Sequence, residues 1–129
     1  GLASDRVTDV PGSSGYFHGG ITAYSNDVKV SVLGVSPRTV REYGAVSRQV
    51  ALEMAKGALT ALGADIAASV TGIAGPSGGS GRKPVGLAYM AFATKRKRRT
   101  RKVLFKGGRR ALKEKFAQAL LEFVLENIL

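Results

Sequence analysis

The sequence predicts a mixed α/β domain with helices on both faces of a sheet, and three observations carry that reading. Val50, Ala51, Met54, Ala55, Ala58, Leu59 and Leu62 recur at three- and four-residue spacing, the stripe of an amphipathic helix. Residues 64–70 and 85–94 (VGLAYMAFAT) are apolar on both faces, a pattern that belongs to strands in the middle of a covered sheet. A second amphipathic run, with Leu112, Phe116, Ala119, Leu120, Phe123 and Val124 on one side, closes the chain. At 129 residues the chain supplies one core rather than two, so residues 1–129 read as a single domain.

Taken in order, residues 1–7 read as one or two helical turns that start without a cap, as if the chain were cut there. Asp9, Pro11, Gly12, Ser13, Ser14 and Gly15 form a turn cluster. Residues 16–24 (YFHGGITAY) have the aromatic and β-branched content of a strand interrupted by Gly19 and Gly20. Ser25-Asn26-Asp27 starts a short helix carrying Val28, Lys29, Val32 and Leu33. Ser36-Pro37, a cap followed by proline at the first helical position, starts another that Gly44 stops. Ser47 caps the main helix and Gly63 ends it. Gly107-Gly108 opens the last helix. The expected architecture is a mixed sheet with strands at 20–24, 66–70, 86–94 and 102–105, covered by helices over 47–62 and 109–128.

Composition narrows the chemistry. There is no cysteine, and His18 is the only histidine, so neither a disulfide nor a zinc-type ligand cluster can be assembled. Catalysis would have to use hydroxyls, lysine, arginine, tyrosine or carboxylates. No run of about 18 apolar residues and no charged-then-apolar leader is present, so a cytoplasmic protein without a membrane partner is expected. The net charge of +11 is concentrated: residues 95–102 (KRKRRTRK) hold seven of the basic residues, and the rest of the chain is ordinary. That run is expected at an exposed hairpin end.

Residues 70–81 (VTGIAGPSGGSG) cannot be a helix or strand interior, because glycine loses too much backbone entropy there and proline removes a donor. A glycine loop at the end of a buried strand lets backbone N–H groups approach an anion, and Thr71 sits where that strand should stop. The same composition also fits a plain connector. Tyr24 and Lys29 lie five residues apart across a strand-to-helix corner. An ammonium near a phenol favours the phenolate and makes a base, although a solvated lysine beside a packed tyrosine has the same spacing. Ser14, in a Pro-Gly-Ser-Ser turn, could present a nucleophilic hydroxyl or be only a turn residue. Arg109 opens a helix, where anions are already favoured, or is simply solvated. These polar candidates all fall at the ends of expected elements, the arrangement a site on an α/β sheet needs.

Several blocks taken together are more specific than any one of them. Thr8-Asp9-Val10-Pro11-Gly12-Ser13-Ser14, Tyr24-Ser25-Asn26 with Lys29, Gly44-Ala45-Val46-Ser47, Thr71-Gly72-Ile73-Ala74-Gly75-Pro76 with Gly78-Gly79, and Lys83-Pro84-Val85-Gly86 resemble the signature blocks of the CinA C-terminal domain family. These are competence- and damage-inducible proteins whose enzymatic members are nicotinamide mononucleotide deamidases. The resemblance implies a three-layer α/β/α sheet and hydrolysis of the substrate carboxamide to nicotinate mononucleotide and ammonia, without a metal or cofactor. Carried over by position, the family's site residues fall on Ser14, Tyr24, Lys29, Thr71 and Arg109. On chemical grounds Ser14 is then the candidate nucleophile and Tyr24 with Lys29 its activating pair. Thr71 and the glycine loop, including Gly72 and Gly75, become binding groups, and Arg109 the phosphate ligand.

Two departures from the family pattern stand out. The family has an upstream strand ending in a Glu-Ser-Cys-Thr-Gly-Gly loop. Gly1 aligns with its last glycine, so a domain truncated at its N-terminus, without that strand and its serine, is expected. An acidic residue usually precedes the arginine aligned with Arg109, where this chain has Gly108. Two other functions compete: a non-catalytic interaction domain, and a nucleic-acid-associated module built on residues 95–102. The latter lacks aromatic residues between the basic ones to stack on bases, so a small-molecule partner is expected rather than nucleic acid. An exposed sheet edge would favour a homo-oligomer.

Overall fold

The computed structural model describes all 129 residues. The elements, in order, are α1 (Leu2–Thr8), a single 3-10 turn (Ser13–Gly15), α2 (Asn26–Ser31), α3 (Pro37–Tyr43), α4 (Arg48–Ala61), β1 (Ala67–Gly72), β2 (Leu87–Ala93), β3 (Arg98–Leu104) and α5 (Arg109–Ile128). The sheet has the order β1-β2-β3. Thr71 lies opposite Tyr89, and Ala93 lies opposite both Ala67 and Arg98.

Alternation along β2 divides the core in two. Ala91 and Ala93 face α4 and pack on Ala51 and Ala55; four alanines let the helix lie close to the sheet. The Ser69 hydroxyl bridges this approach, donating to the Ala51 carbonyl at 2.5 Å. Met90 and Phe92 face the opposite way onto Leu120 and Phe123 of α5, and Ala88 packs with Leu112 and Phe116. The result is helix, sheet, helix, with β2 buried on both faces as its continuous apolar run requires. A third cluster, Leu33, Val35, Val50 and Met54, seals the loop after α2 against α4.

The helices begin and end where their caps put them. Ser25 and Ser47 side chains accept the Val28 and Val50 N–H groups, and Pro37 opens α3. Gly44, at φ 79°, ends α3 in a conformation only glycine adopts freely.

Three expectations need correction. The three strands pair antiparallel throughout, so no parallel pairing of a mixed sheet is realised among them. Residues 16–24 form no strand. Instead they run as a strap over α1 and the end of α4: a Cβ on Gly20 would collide with Ser4, His18 Nδ1 bonds the Leu62 carbonyl, and Ile21 and Ala23 pack on the third cluster. Strand content was present there, but its backbone meets no sheet partner. Finally, β3 starts at Arg98 rather than at residue 102, so five of the eight residues of the basic run are strand. The hairpin turn is Thr94 to Lys97, closed by the Thr94 N–H bond to the Lys97 carbonyl and by the Thr94 hydroxyl accepting from the Arg96 and Lys97 N–H groups. Basic side chains on an edge strand also guard it against pairing with another chain.

Candidate functional site

The site gathers at the end of the sheet where β1 finishes and β2 begins. The strap delivers Tyr24 there, and Ser25 turns the chain directly into α2 by capping it. The Tyr24 side chain stands 81% exposed. One turn into α2, the Lys29 side chain folds back under the strap and is only 6% exposed. Its ammonium donates to the carbonyls of Ala23 at 3.0 Å and Tyr24 at 3.3 Å. No carboxylate is paired with it. Burial pushes the Lys29 ammonium below the ordinary lysine range, because a desolvated cation without a counter-charge is costly.

Arg109, the first residue of α5, closes the arrangement. Its Nη1 donates to the Gly75 carbonyl at 2.8 Å and its Nη2 to the Tyr24 phenol oxygen at 3.1 Å. The guanidinium therefore ties the glycine loop, the strap and the start of α5 together. α5 begins at Gly108 without a side-chain cap, so its first N–H groups are left for solvent or ligand.

The other sequence-derived candidates divide sharply. Thr71 is buried near the end of β1, and its hydroxyl proton is committed to the Ala45 carbonyl at 2.9 Å. Gly72 closes β1 rather than opening a loop: a Cβ there would lie 2.8 Å from that of Ala88 and 3.0 Å from the Leu87 carbonyl, so its smallness serves packing. Gly75 is a true loop glycine at φ 73°, with Val85 filling the space a side chain would need. Ser14 stays apart, exposed in the 3-10 turn and joined to neither Tyr24 nor Lys29 by a hydrogen bond. Its neighbour Ser13 is the buried one. Nor does Lys29 hold the Tyr24 phenol. It holds the backbone, and the phenol belongs to Arg109.

Sequence reasoning missed Lys83. Its ammonium donates to the Tyr43 carbonyl at the end of α3, clamping the far side of the glycine loop onto the 43–47 connection that Thr71 and Ser47 also hold. The Lys83-Pro84-Val85-Gly86 block was the available signal, and in the structure a Cβ on Gly44 would sit 2.8 Å from the Lys83 ammonium.

Comparison with known proteins is consistent with this geometry. The model of the CinA C-terminal domain matches residues 1–128. The chain belongs to that family. A CinA-like protein of Chlorobium limicola is 52% identical over 126 residues, covering 94% of this chain and 29% of that protein. A putative competence-damage inducible protein of Caldicellulosiruptor saccharolyticus is 46% identical over 129 residues, 100% of this chain and 31% of its own length. The CinA domain described here thus spans about three-tenths of the curated relatives it matches. Among solved structures, competence/damage inducible protein CihA from Agrobacterium tumefaciens superposes with a TM-score of 0.95 at 39% identity, covering 98% of this chain and 78% of that one. A CinA superfamily protein from Escherichia coli superposes with a TM-score of 0.92 at 27% identity, over 97% and 73%. The CinA fold, with helices on both faces of its sheet, is therefore shared. No helix of this CinA domain is long and apolar enough to cross a membrane.

Proposed function

We propose that this domain serves an amidohydrolase acting on nicotinamide mononucleotide, releasing ammonia and leaving nicotinate mononucleotide. The supporting observation is the convergence of two cations on Tyr24: Lys29 buried beneath its backbone and Arg109 bonded to its phenol. Burial shifts Lys29 toward its neutral amine, the form that takes a proton. Arg109, exposed beside the uncapped start of α5, suits a phosphate dianion through its planar fork.

In the proposed reaction a hydroxyl oxygen attacks the carboxamide carbon and passes its proton to Lys29. The carbon–nitrogen bond then breaks, and the proton leaves with the nitrogen as ammonia. Water cleaves the resulting ester to give the carboxylate. Ser14 is the nucleophile this chain offers, and movement of its turn toward Tyr24 is part of the proposal. Thr71, Gly72 and Gly75 shape the wall that receives the ring and ribose. The test is ammonia release from nicotinamide mononucleotide by the full-length protein carrying this domain, with and without Ser14→Ala. Turnover lost in the variant supports the scheme; full turnover in it transfers the nucleophile's role to another hydroxyl, and no turnover in either protein refutes the activity.

A further inference from the structure

Away from this site, at the hairpin end of the sheet, Arg48, Gln49 and Leu52 of α4 face Arg98, Arg99 and Thr100 of β3 across a surface groove of about 310 Å³. No carboxylate lines it. The three ion pairs of the molecule involve Arg38, Arg101 and Arg110, so Arg48, Arg96, Arg98, Arg99 and Lys102 are exposed cations without an acidic partner. Three members of the basic run are also used internally, Arg99 through a bond to the Arg98 carbonyl at 2.8 Å. Arg101 pairs with Glu126 and lies over Phe123, and Lys97 lies over Phe92 and donates to the Asn127 carbonyl. Five uncompensated charges along one edge repel one another, and an anionic partner relieves that cost.

We propose that this groove is a sequence-independent binding surface for the phosphate backbone of a nucleic acid duplex. Three features choose that partner. Arg98 and Lys102 share the α4 face of β3, opposite Ala93 and Tyr89 and about 13 Å apart along the extended strand, with Arg48 across from them on α4, so they meet a spaced array of charges rather than one ion. The remaining groove groups, the Gln49 carboxamide and the Thr100 hydroxyl, are donors of the kind that bond phosphate and sugar oxygens. Leu52 is the groove's sole apolar side chain and no aromatic lines it, which leaves neither a wedge for a lipid surface nor a platform for stacking single-stranded bases. An acidic peptide adding to the sheet would use the outer backbone edge of β3 instead.

The groove is separate from the amidase site. The groove residues Arg98, Arg99 and Thr100 pair with Ala93, Phe92 and Ala91, four to six strand intervals or about 13–20 Å from Leu87 at the site end of β2 and beyond a Debye length of about 8 Å.

The experiment is fluorescence anisotropy with a labelled DNA duplex of about 20 base pairs, titrated across sodium chloride concentrations. Five phosphate contacts predict that log K falls against log salt with a slope of about −4.5. Combining Arg48→Gln, Arg98→Gln and Arg99→Gln should reduce that slope by about 2.7 and weaken binding by roughly tenfold or more near 0.1 M salt. Arg98→Gln alone should reduce it by about 0.9, and Lys113→Gln on the opposite helix α5 should leave it unchanged. Replacing the same three arginines by lysine should preserve binding within about threefold, since point charges still neutralise phosphates. An unchanged slope in the triple glutamine variant would overturn the proposal. So would binding of polyglutamate or phosphatidylserine vesicles as tightly as the duplex.

Discussion

Arg109 donates to the phenol oxygen of Tyr24 at 3.1 Å, joining two side chains 85 positions apart, and with its other arm holds the Gly75 carbonyl. The bond fixes where α5 begins relative to the strap that carries Tyr24. It also means that an incoming phosphate would compete with two neutral acceptors for the guanidinium. A dianion wins that competition, because the guanidinium fork then meets a full opposite charge in bidentate geometry rather than two neutral dipoles.

Arg109→Ala should therefore raise the Michaelis constant for nicotinamide mononucleotide, with a smaller change for a substrate lacking the phosphate. Steady-state kinetics on both substrates in the full-length protein check this. Equal effects on the two would remove the phosphate role. Tyr24→Phe, which frees one guanidinium arm, should leave phosphate recognition in place.

Lys29→Ala should lower the catalytic constant by roughly a hundredfold or more, the usual worth of a positioned proton-transfer group, with folding intact. A fully active variant would remove Lys29 from the chemistry.

The lowered range of Lys29 also has a stability signature. Between its folded value and the ordinary lysine value, the unfolded chain binds more protons than the folded one, so stability rises with pH across that window. Below the folded value the cost of burying the charge is fully present. Urea unfolding at neutral pH and near pH 10 should thus show the wild type gaining on Lys29→Met as pH rises; a constant difference would contradict the buried-cation reading.

Gly57 lies inside α4, where glycine is intrinsically poor, yet a Cβ there would fall 1.8 Å from the Leu33 carbonyl oxygen. Gly57→Ala gains about 1 kcal/mol of helix propensity but must push a backbone segment away. The net expectation is a loss of about 1–3 kcal/mol by chemical denaturation. A stabilised variant would show that the loop after α2 yields easily.

Neutralising Lys95, Arg96, Arg98 and Arg99, the four charges of residues 95–102 nearest the hairpin end, should leave amide turnover within about threefold, since that end of the sheet is screened from Tyr24 and Arg109. A tenfold loss would connect the two ends of the molecule.

Local chemistry determined much of this protein. Helix starts at Ser25, Pro37 and Ser47, the stop at Gly44, the doubly apolar β2 and the buried face of α5 all follow from capping, proline, glycine and periodicity, which act within a few residues. The clustering of polar candidates at element ends was legible for the same reason. Only the tertiary structure decided what each of them touches. Residues 16–24 have strand content but pair with no strand, residues 98–102 of the basic run became most of the edge strand β3, and Gly72 is a packing residue. Lys29 bonds backbone carbonyls, and Arg109 takes the phenol that sequence spacing had assigned to Lys29. Such contacts depend on which distant segments share an interface, and that is set by how the two faces of the sheet are covered rather than by the residues on either side of each position.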